Sequence, residues 1–357
     1  MATLKLIIRL IRINGLRQMA IRLWIEFLGF ARHTTLRKMF NLSIISLQAV
    51  FRTSRVRGYP YRYYIEPTNV CNLRCPFCLG WQGRSSRRRG MMSLESFRKI
   101  IDEIAPYTYW VDLYNRGEPL VNPAAIGMIA YAHAHNIAVK MSTNLHFLDE
   151  QRAEQLIHSG LDYLVVPLDG GTQETYEKYR VGGSLETVLN NLNLIVKKKR
   201  ELNSLTPYIT IRTLVMKHNE HEMYTIRTLA REIGVDNLIF SLMIANVEKD
   251  SVVEEWLPID ENYSWYDYEQ RTNKITGGLH SCSELWQRMT INWDGSVFPC
   301  CFVDKEEMSF GNVSSETIRA VWNNRAYTNS RRVFDKDYKP DGIVTICSTC
   351  RGDMKRK

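Results

Sequence analysis

Acidic residues are almost missing from the first 58 positions, which hold eleven Lys or Arg against the single acid Glu26. The remaining residues carry 36 bases and 37 acids, so the net charge of +9 is a property of the N-terminal segment and not of the whole surface. A long apolar run is missing too. The longest uncharged stretch of that segment, Met39 to Phe51, is shorter than the roughly 18 residues a membrane-spanning helix needs. Lys5, Arg9 and Arg12 break the apolar start before a secretory cleavage site forms, so no secretory signal is expected. Solenoid-length repeats and low-complexity tracts are also lacking, which excludes stacked-repeat architectures. Cysteine is sparse: eight in 357 residues do not make a small secreted disulfide scaffold. The expected compartment is a reducing cytoplasm, where thiols stay free to bind metal.

What is present is an alternation of strands and helices. Segments rich in β-branched and aromatic residues predict strands at Tyr61–Thr68, Tyr109–Asn115, Ala138–Asn144, Tyr163–Asp169, Tyr208–Met216 and Asn237–Met243. Helices with readable caps lie between them. Ser93, Asp149 and Ser184 open three; Asn122 before Pro123 is read as a fourth cap, and Asn219 as a fifth, with Gly160 and Gly234 as stops. Six βα units in a row predict an α/β fold, a parallel sheet either open or curled into a partial (β/α)6 barrel, with its active site at the carboxyl ends of the strands.

Three cysteines follow the first strand directly, in IEPTNVCNLRCPFCLG: Cys71, Cys75 and Cys78. Three thiolates can hold three irons of a [4Fe–4S] cluster and leave the fourth open to a reacting ligand. A zinc site is the plain alternative, but it needs a fourth ligand and no His lies close in sequence. The C-x3-C-x2-C spacing, the aromatic Phe77 before the third cysteine and the six βα units resemble the radical S-adenosylmethionine (SAM) superfamily from about Tyr61 onward. That resemblance implies reductive cleavage of SAM to a 5′-deoxyadenosyl radical, which abstracts a hydrogen atom from the substrate. It also implies a reducing partner such as a flavodoxin or ferredoxin.

Later strand ends extend the likeness. Arg116-Gly117-Glu118-Pro119 resembles the family's GGEP element, which holds the SAM amino group, with Arg116 in place of the first glycine. Read from the residues, Gly117 permits close backbone approach and Glu118 accepts from an ammonium. Ser142-Thr143-Asn144 ends the third strand, where the family places small polar groups near SAM. Asp169-Gly170-Gly171 resembles the S-x-D-G element, with Pro167 in the serine position. Arg180 matches an arginine that the family sets on the SAM carboxylate, for which a planar fork is suited.

The other five cysteines form a second group: Cys282, Cys300, Cys301, Cys347 and Cys350. A hairpin turn at Asp294-Gly295 is expected to bring Cys282 and Cys300 together, and Cys347-x2-Cys350 to complete a four-thiolate site, with Cys301 left over as a small buried thiol. This part resembles the SPASM/twitch domain and implies one auxiliary [4Fe–4S] cluster; a four-cysteine zinc site is the alternative. The resulting division is a basic helical extension over 1–58, a radical SAM core over 59–245, a linker over 246–280 and a small α+β cysteine-rich domain over 281–357.

Within the extension, Lys5, Arg9 and Arg12 line one helical stripe, and Gly15 and His33–Thr35 interrupt the helix. Its basic and apolar mixture fits an interfacial helix on an anionic membrane, or a hairpin packed on the enzyme body. Arg84 and Arg87–Arg89 are read as contacts for an anionic substrate or as a solvated loop, and His218 and His221 as solvated. The expected activity is oxidation or remodelling of a sugar, cyclitol or lipid-linked polar substrate. Alternatives are a peptide-modifying maturase or, from another class, a Zn/Fe–S nucleic-acid-binding module, although nucleic acid is not the expected partner.

Overall fold

Phe97, Ile100, Ile101 and Ile104 recur at helical spacing, and in the computed structural model all four are buried on one face of a helix, Leu94–Ile104. The Ser93 side chain opens that helix by accepting from the Ser96 amide. The structure describes residues 2–78, 87–243, 254–264, 266–267, 272–273, 282–303, 305–334, 338, 343–348 and 350. Arg84 and 20 of the 35 residues of the expected linker lie outside them.

The chain divides into two compact units. The first, the β1 unit after its strand Arg62–Ile65, comprises residues 29–72, 78–141 and 276–357; the second, the β4 unit after its strand Tyr163–Pro167, comprises residues 1–28, 73–77 and 142–275.

In the β1 unit, strands β1 (Arg62–Ile65), β2 (Trp110–Asp112) and β3 (Ala138–Ser142) run parallel, with Arg62 opposite Trp110 and Trp110 opposite Ala138. Their side chains are largely buried, as expected where a parallel sheet is covered on both faces. The cysteine-rich segment adds to this sheet. Strand Arg288–Ile291 pairs parallel with β1, and the turn at Asp294-Gly295 returns strand Ser296–Phe298 antiparallel to it. Gly295 has φ 82°, which glycine adopts without a Cβ clash. The buried Asp112 carboxylate at the end of β2 pairs with Arg62 on β1.

In the β4 unit, strands β4 (Tyr163–Pro167), β5 (Tyr208–Val215) and β6 (Asn237–Leu242) are parallel and in register, Tyr163 opposite Tyr208 and Thr210 opposite Asn237. Helices Glu150–His158 and Leu185–Glu201 are capped by the side chains of Asp149 and Ser184. Gly234, with φ 78°, ends helix Met223–Ile233. Strands β1 to β6 belong to an α/β fold whose sheet does not close, a partial barrel.

Two expected caps do other work. Asn122 is buried, and its amide donates to the carbonyls of Pro67 and Met92 while its Oδ1 accepts from Ala124 N; the helix begins at Ala125. Asn219 precedes a short 3-10 turn, and its buried side chain donates to the carbonyls of Asp169 and Leu214 and accepts from Met216 N. Burial turns both amides inward, to backbone groups that need partners.

The N-terminal segment is two helices, α1 (Ala2–Arg32) and α2 (Leu36–Val50). Gly15, at φ 81°, kinks α1, and Thr35 caps α2.

Candidate active site

The carboxyl ends of β4 and β5 meet at Asp169. This buried carboxylate accepts from Leu214 N at 2.6 Å through Oδ1 and from Arg180 Nε at 2.6 Å through Oδ2. The same guanidinium reaches Cys75, with Nη1 3.6 Å from Sγ. Burial works against the Arg180 charge, but the Asp169 carboxylate and the Cys75 thiol outweigh it and hold its pKa well above the usual range. Arg180 is therefore a fixed cation beside the one buried cysteine of the triplet.

Glycine is required just beyond Asp169. A Cβ on Gly170 would come within 2.2 Å of Tyr176 N, so only glycine lets helix Gln173–Tyr179 approach this closely. Glu222 fastens the same turn by accepting from Gly171 N at 2.7 Å and from the Thr172 hydroxyl at 3.0 Å. At the end of β3, the Thr143 and Asn144 side chains accept from Leu145 N and His146 N, which curls the Ser142–Asn144 segment into a tight turn. Phe77 leads an aromatic chain: it stacks with Tyr179 at 6.3 Å and meets Trp256 edge-on at 5.1 Å. His218 lies edge-on to the same Trp256 at 5.4 Å, half-buried and with its pKa lowered by burial. The expectation of a solvated His218 is thus corrected, because Trp256 covers its ring; His221 is exposed.

In the β1 unit, Cys71 is exposed and Cys78 half-buried. Gly117, at φ 73°, sits where a Cβ would come within 2.4 Å of the Thr68 carbonyl oxygen. Glu118 follows, buried, with its amide donating to Val70 O at 2.8 Å and its carboxylate accepting from Leu120 N, where Pro119 starts a 3-10 turn. The GEP turn is thereby fixed to the stretch that leads into Cys71.

One buried hub escaped the sequence reading. Glu66, just past β1, pairs with Arg87 and also accepts from Arg116 N at 3.2 Å and Asn115 Nδ2 at 3.4 Å. Arg87 is buried and so not open to an anionic ligand, which corrects that expectation; Arg88 and Arg89 are exposed. The only available signal was a lone acid at a strand end, and nothing in its spacing names Arg87 as the partner.

Each of the five C-terminal thiols acts on at least one other of the group or is acted on by one. Burial raises the Cys300 thiol pKa, and Cys301, Cys347 and Cys282 raise it further. Cys347 is pushed up to about 12 by burial, with Cys282 and Cys350 adding to the shift. Cys301 is raised by burial and by Glu284, and is opposed by Arg116 and Arg288. Its carbonyl accepts from Arg116 Nη2 at 2.7 Å.

The sequence profile of the radical SAM superfamily matches residues 65–244, half of the chain. The chain belongs to the radical SAM superfamily. An iron–sulfur cluster-binding SPASM domain matches residues 282–351. Among characterised relatives, the chain is 23% identical to the tungsten-containing aldehyde ferredoxin oxidoreductase cofactor-modifying protein of Pyrococcus furiosus, over 80% of this chain and 86% of that one. It is 26% identical to the mycofactocin maturase of Mycobacterium tuberculosis, over 80% of this chain and 76% of that one. Its fold is similar to that of Streptococcus suis SuiB solved with its precursor peptide SuiA, at TM-score 0.59 and 13% identity, covering 80% of this chain and 69% of that one.

Membership brings SAM, a [4Fe–4S] cluster and auxiliary Fe–S chemistry to this radical SAM enzyme. The donor sets fit. All eight cysteines lie outside any disulfide, three in the loop after β1 and five in the SPASM segment. A fixed cation beside Cys75 also suits a thiolate ligand.

Proposed function

We propose that this radical SAM enzyme oxidises or remodels a sugar, cyclitol or lipid-linked polar substrate, using one auxiliary [4Fe–4S] cluster as electron acceptor. In this reading Cys71, Cys75 and Cys78 hold the SAM-binding cluster, and Cys282, Cys300, Cys347 and Cys350 hold the auxiliary one. When bound, SAM and its cluster supply a 5′-deoxyadenosyl radical for hydrogen abstraction, and the auxiliary cluster supplies an acceptor for the electron that the substrate radical gives up.

The observation that carries the reading is the C-terminal thiol group, in which Cys347 acts on Cys300 and is itself acted on by Cys282 and Cys350. Four thiolates leave no open iron for SAM, which favours electron transfer at that site. The chain's own residues bind and orient. Gly117, Glu118 and Pro119 form the turn for the SAM amino group; Ser142, Asn144 and Asp169 line the strand ends. Arg180 orients the Cys75 segment and offers its remaining donors to the SAM carboxylate. A flavodoxin or ferredoxin reduces the enzyme. The protein works in the cytoplasm, with residues 1–58 in peripheral contact with the inner face of a membrane. Among the described residues, no helix is long and apolar enough to cross one.

A second reading, a peptide-modifying maturase, is favoured by the likeness to the mycofactocin maturase and to SuiB with its precursor peptide. Against it, peptide maturases often carry a winged-helix leader-binding module, whereas the described part of this extension is a pair of helices.

The test is iron and sulfide content of anaerobically reconstituted protein, measured with dithionite-dependent 5′-deoxyadenosine formation. About eight irons with cleavage support the reading, and about four with cleavage remove the auxiliary cluster from it.

A further inference from the structure

A surface helix of a water-soluble domain normally buries its apolar stripe and shows its polar one. Helix α2 does the reverse. Its inward face carries Lys38, Asn41 and Ile45, all buried. The Lys38 ammonium donates to Asn136 O, and Asn41 donates to the carbonyls of Tyr59 and Tyr107 and accepts from Tyr59 N. These bonds fix which side of the helix faces the protein. Its outward face, continued by the next residue, carries Leu36, Met39, Phe40, Leu47, Val50 and Phe51, each between 50% and 86% exposed. Their spacing of i, i+3, i+4, i+11, i+14 and i+15 sets them on one stripe, and the residues between them on it, Ser43 and Ser46, are uncharged.

Helix α1 independently repeats the arrangement beyond its kink. Ile25 is buried, while Leu16, Leu23, Trp24 and Phe27 are 55–71% exposed, with the Trp24 and Phe27 rings stacked at 5.5 Å. Exposed arginines accompany both stripes: Arg17 and Arg22 on α1, Arg37 on α2, and Arg55 and Arg57 just after it. Residues 29–58, which carry α2, hold six Lys or Arg and no acid, so the charge that accompanies its stripe is cationic.

We propose that the outward face of α2, centred on Phe40 and Leu47, inserts into the interface of an anionic lipid bilayer. Apolar side chains enter the headgroup–acyl boundary, and flanking arginines meet lipid phosphates. Charge decides between occupants: a second copy would set one cationic surface against another, whereas an anionic bilayer complements it. No helix among the described residues can cross the membrane, so α2 lies in its plane. The inference rests on the membrane contact included in the proposed function and assigns it to a defined face.

The test uses the full reconstituted chain in co-sedimentation with phosphatidylcholine vesicles and with phosphatidylcholine–phosphatidylglycerol vesicles. The Phe40→Ser/Leu47→Ser variant alters only outward side chains, and 5′-deoxyadenosine formation is read in the same samples. The expected result is wild-type binding to the anionic vesicles alone, a loss of at least about tenfold in the variant, and unchanged cleavage in both proteins. Equal binding by variant and wild type overturns the assignment of this face while leaving membrane contact in place. No vesicle binding by the wild type overturns the membrane reading itself. A wild-type dimer in vesicle-free solution, converted to monomer by the double substitution, assigns the face to a second copy and also overturns the proposal.

Discussion

Arg180 donates through Nε to Asp169 at 2.6 Å while its Nη1 lies 3.6 Å from the sulfur of Cys75. One guanidinium thus joins the end of β4 to the cysteine loop. The Asp169 side chain is 1% exposed and that of Arg180 18%. Removing one partner from such a pair leaves a buried charge uncompensated. Asp169→Asn is expected to cost about 3–5 kcal/mol, read as a lower urea midpoint. Arg180→Lys keeps the charge but loses the fork, and is expected to lower 5′-deoxyadenosine formation about tenfold or more through misplacement. Wild-type behaviour of both variants would show that the pair positions nothing.

Gly117 is a sharper probe of the turn before Glu118. Alanine there must hold φ 73° and place its Cβ 2.4 Å from the Thr68 oxygen. The strain is of the order of 1–3 kcal/mol, and relief requires the turn to move. Gly117→Ala is expected to weaken SAM binding about tenfold or more by isothermal titration, since a positioning error is costly at a preorganised site. Unchanged affinity would mean that the GEP turn lies away from SAM.

His218 predicts a pH effect of definite sign. Burial against Trp256 lowers its pKa below the ordinary 6.5, so the fold favours the neutral ring. The stability that this contributes is present above pH 6.5 and is lost as pH falls through the lowered value. Urea midpoints should therefore fall more between pH 7.5 and pH 5 in wild type than in His218→Phe, by a rough comparison of the two slopes. His146, also lowered by burial, leaves a residual slope in the variant. Equal slopes in the two proteins would remove His218 from the titration.

The fifth C-terminal cysteine separates the ligand set from its neighbours. Cys301 acts on the adjacent Cys300, but the charges acting on Cys301 itself are Glu284, Arg116, Arg288 and Asp112, whereas Cys347 feels Cys282 and Cys350. Cys301→Ser is expected to retain its iron, and Cys347→Ala to lose about four irons per chain. The reverse result would exchange their roles.

Much of this was legible in the sequence because the signals were local. Each of β1 to β6 lies inside its predicted segment, since a β-branched run such as YLVVP at Tyr163–Pro167 needs only its own pattern. Ser93, Asp149 and Ser184 cap as read because a cap bonds within its own turn. Non-local facts were not legible. The pairing of Arg288–Ile291 with β1, the burial of Arg87 on Glu66 and the inward turn of Asn219 join residues far apart in sequence. Periodicity marks α2 as a helix with two unlike faces, but the same pattern serves whether the apolar face points in or out. Only Lys38 and Asn41, bonded inward to Asn136, Tyr59 and Tyr107, show which way it turns.

The most direct measurement is electron paramagnetic resonance of the dithionite-reduced full chain, with and without SAM, in wild type, Cys75→Ala and Cys347→Ala. The two-cluster assignment predicts two reduced-cluster signals in wild type, of which one alone shifts on adding SAM. That signal should vanish in Cys75→Ala, and the SAM-insensitive one in Cys347→Ala. A single signal in wild type, or two that both ignore SAM, would contradict it.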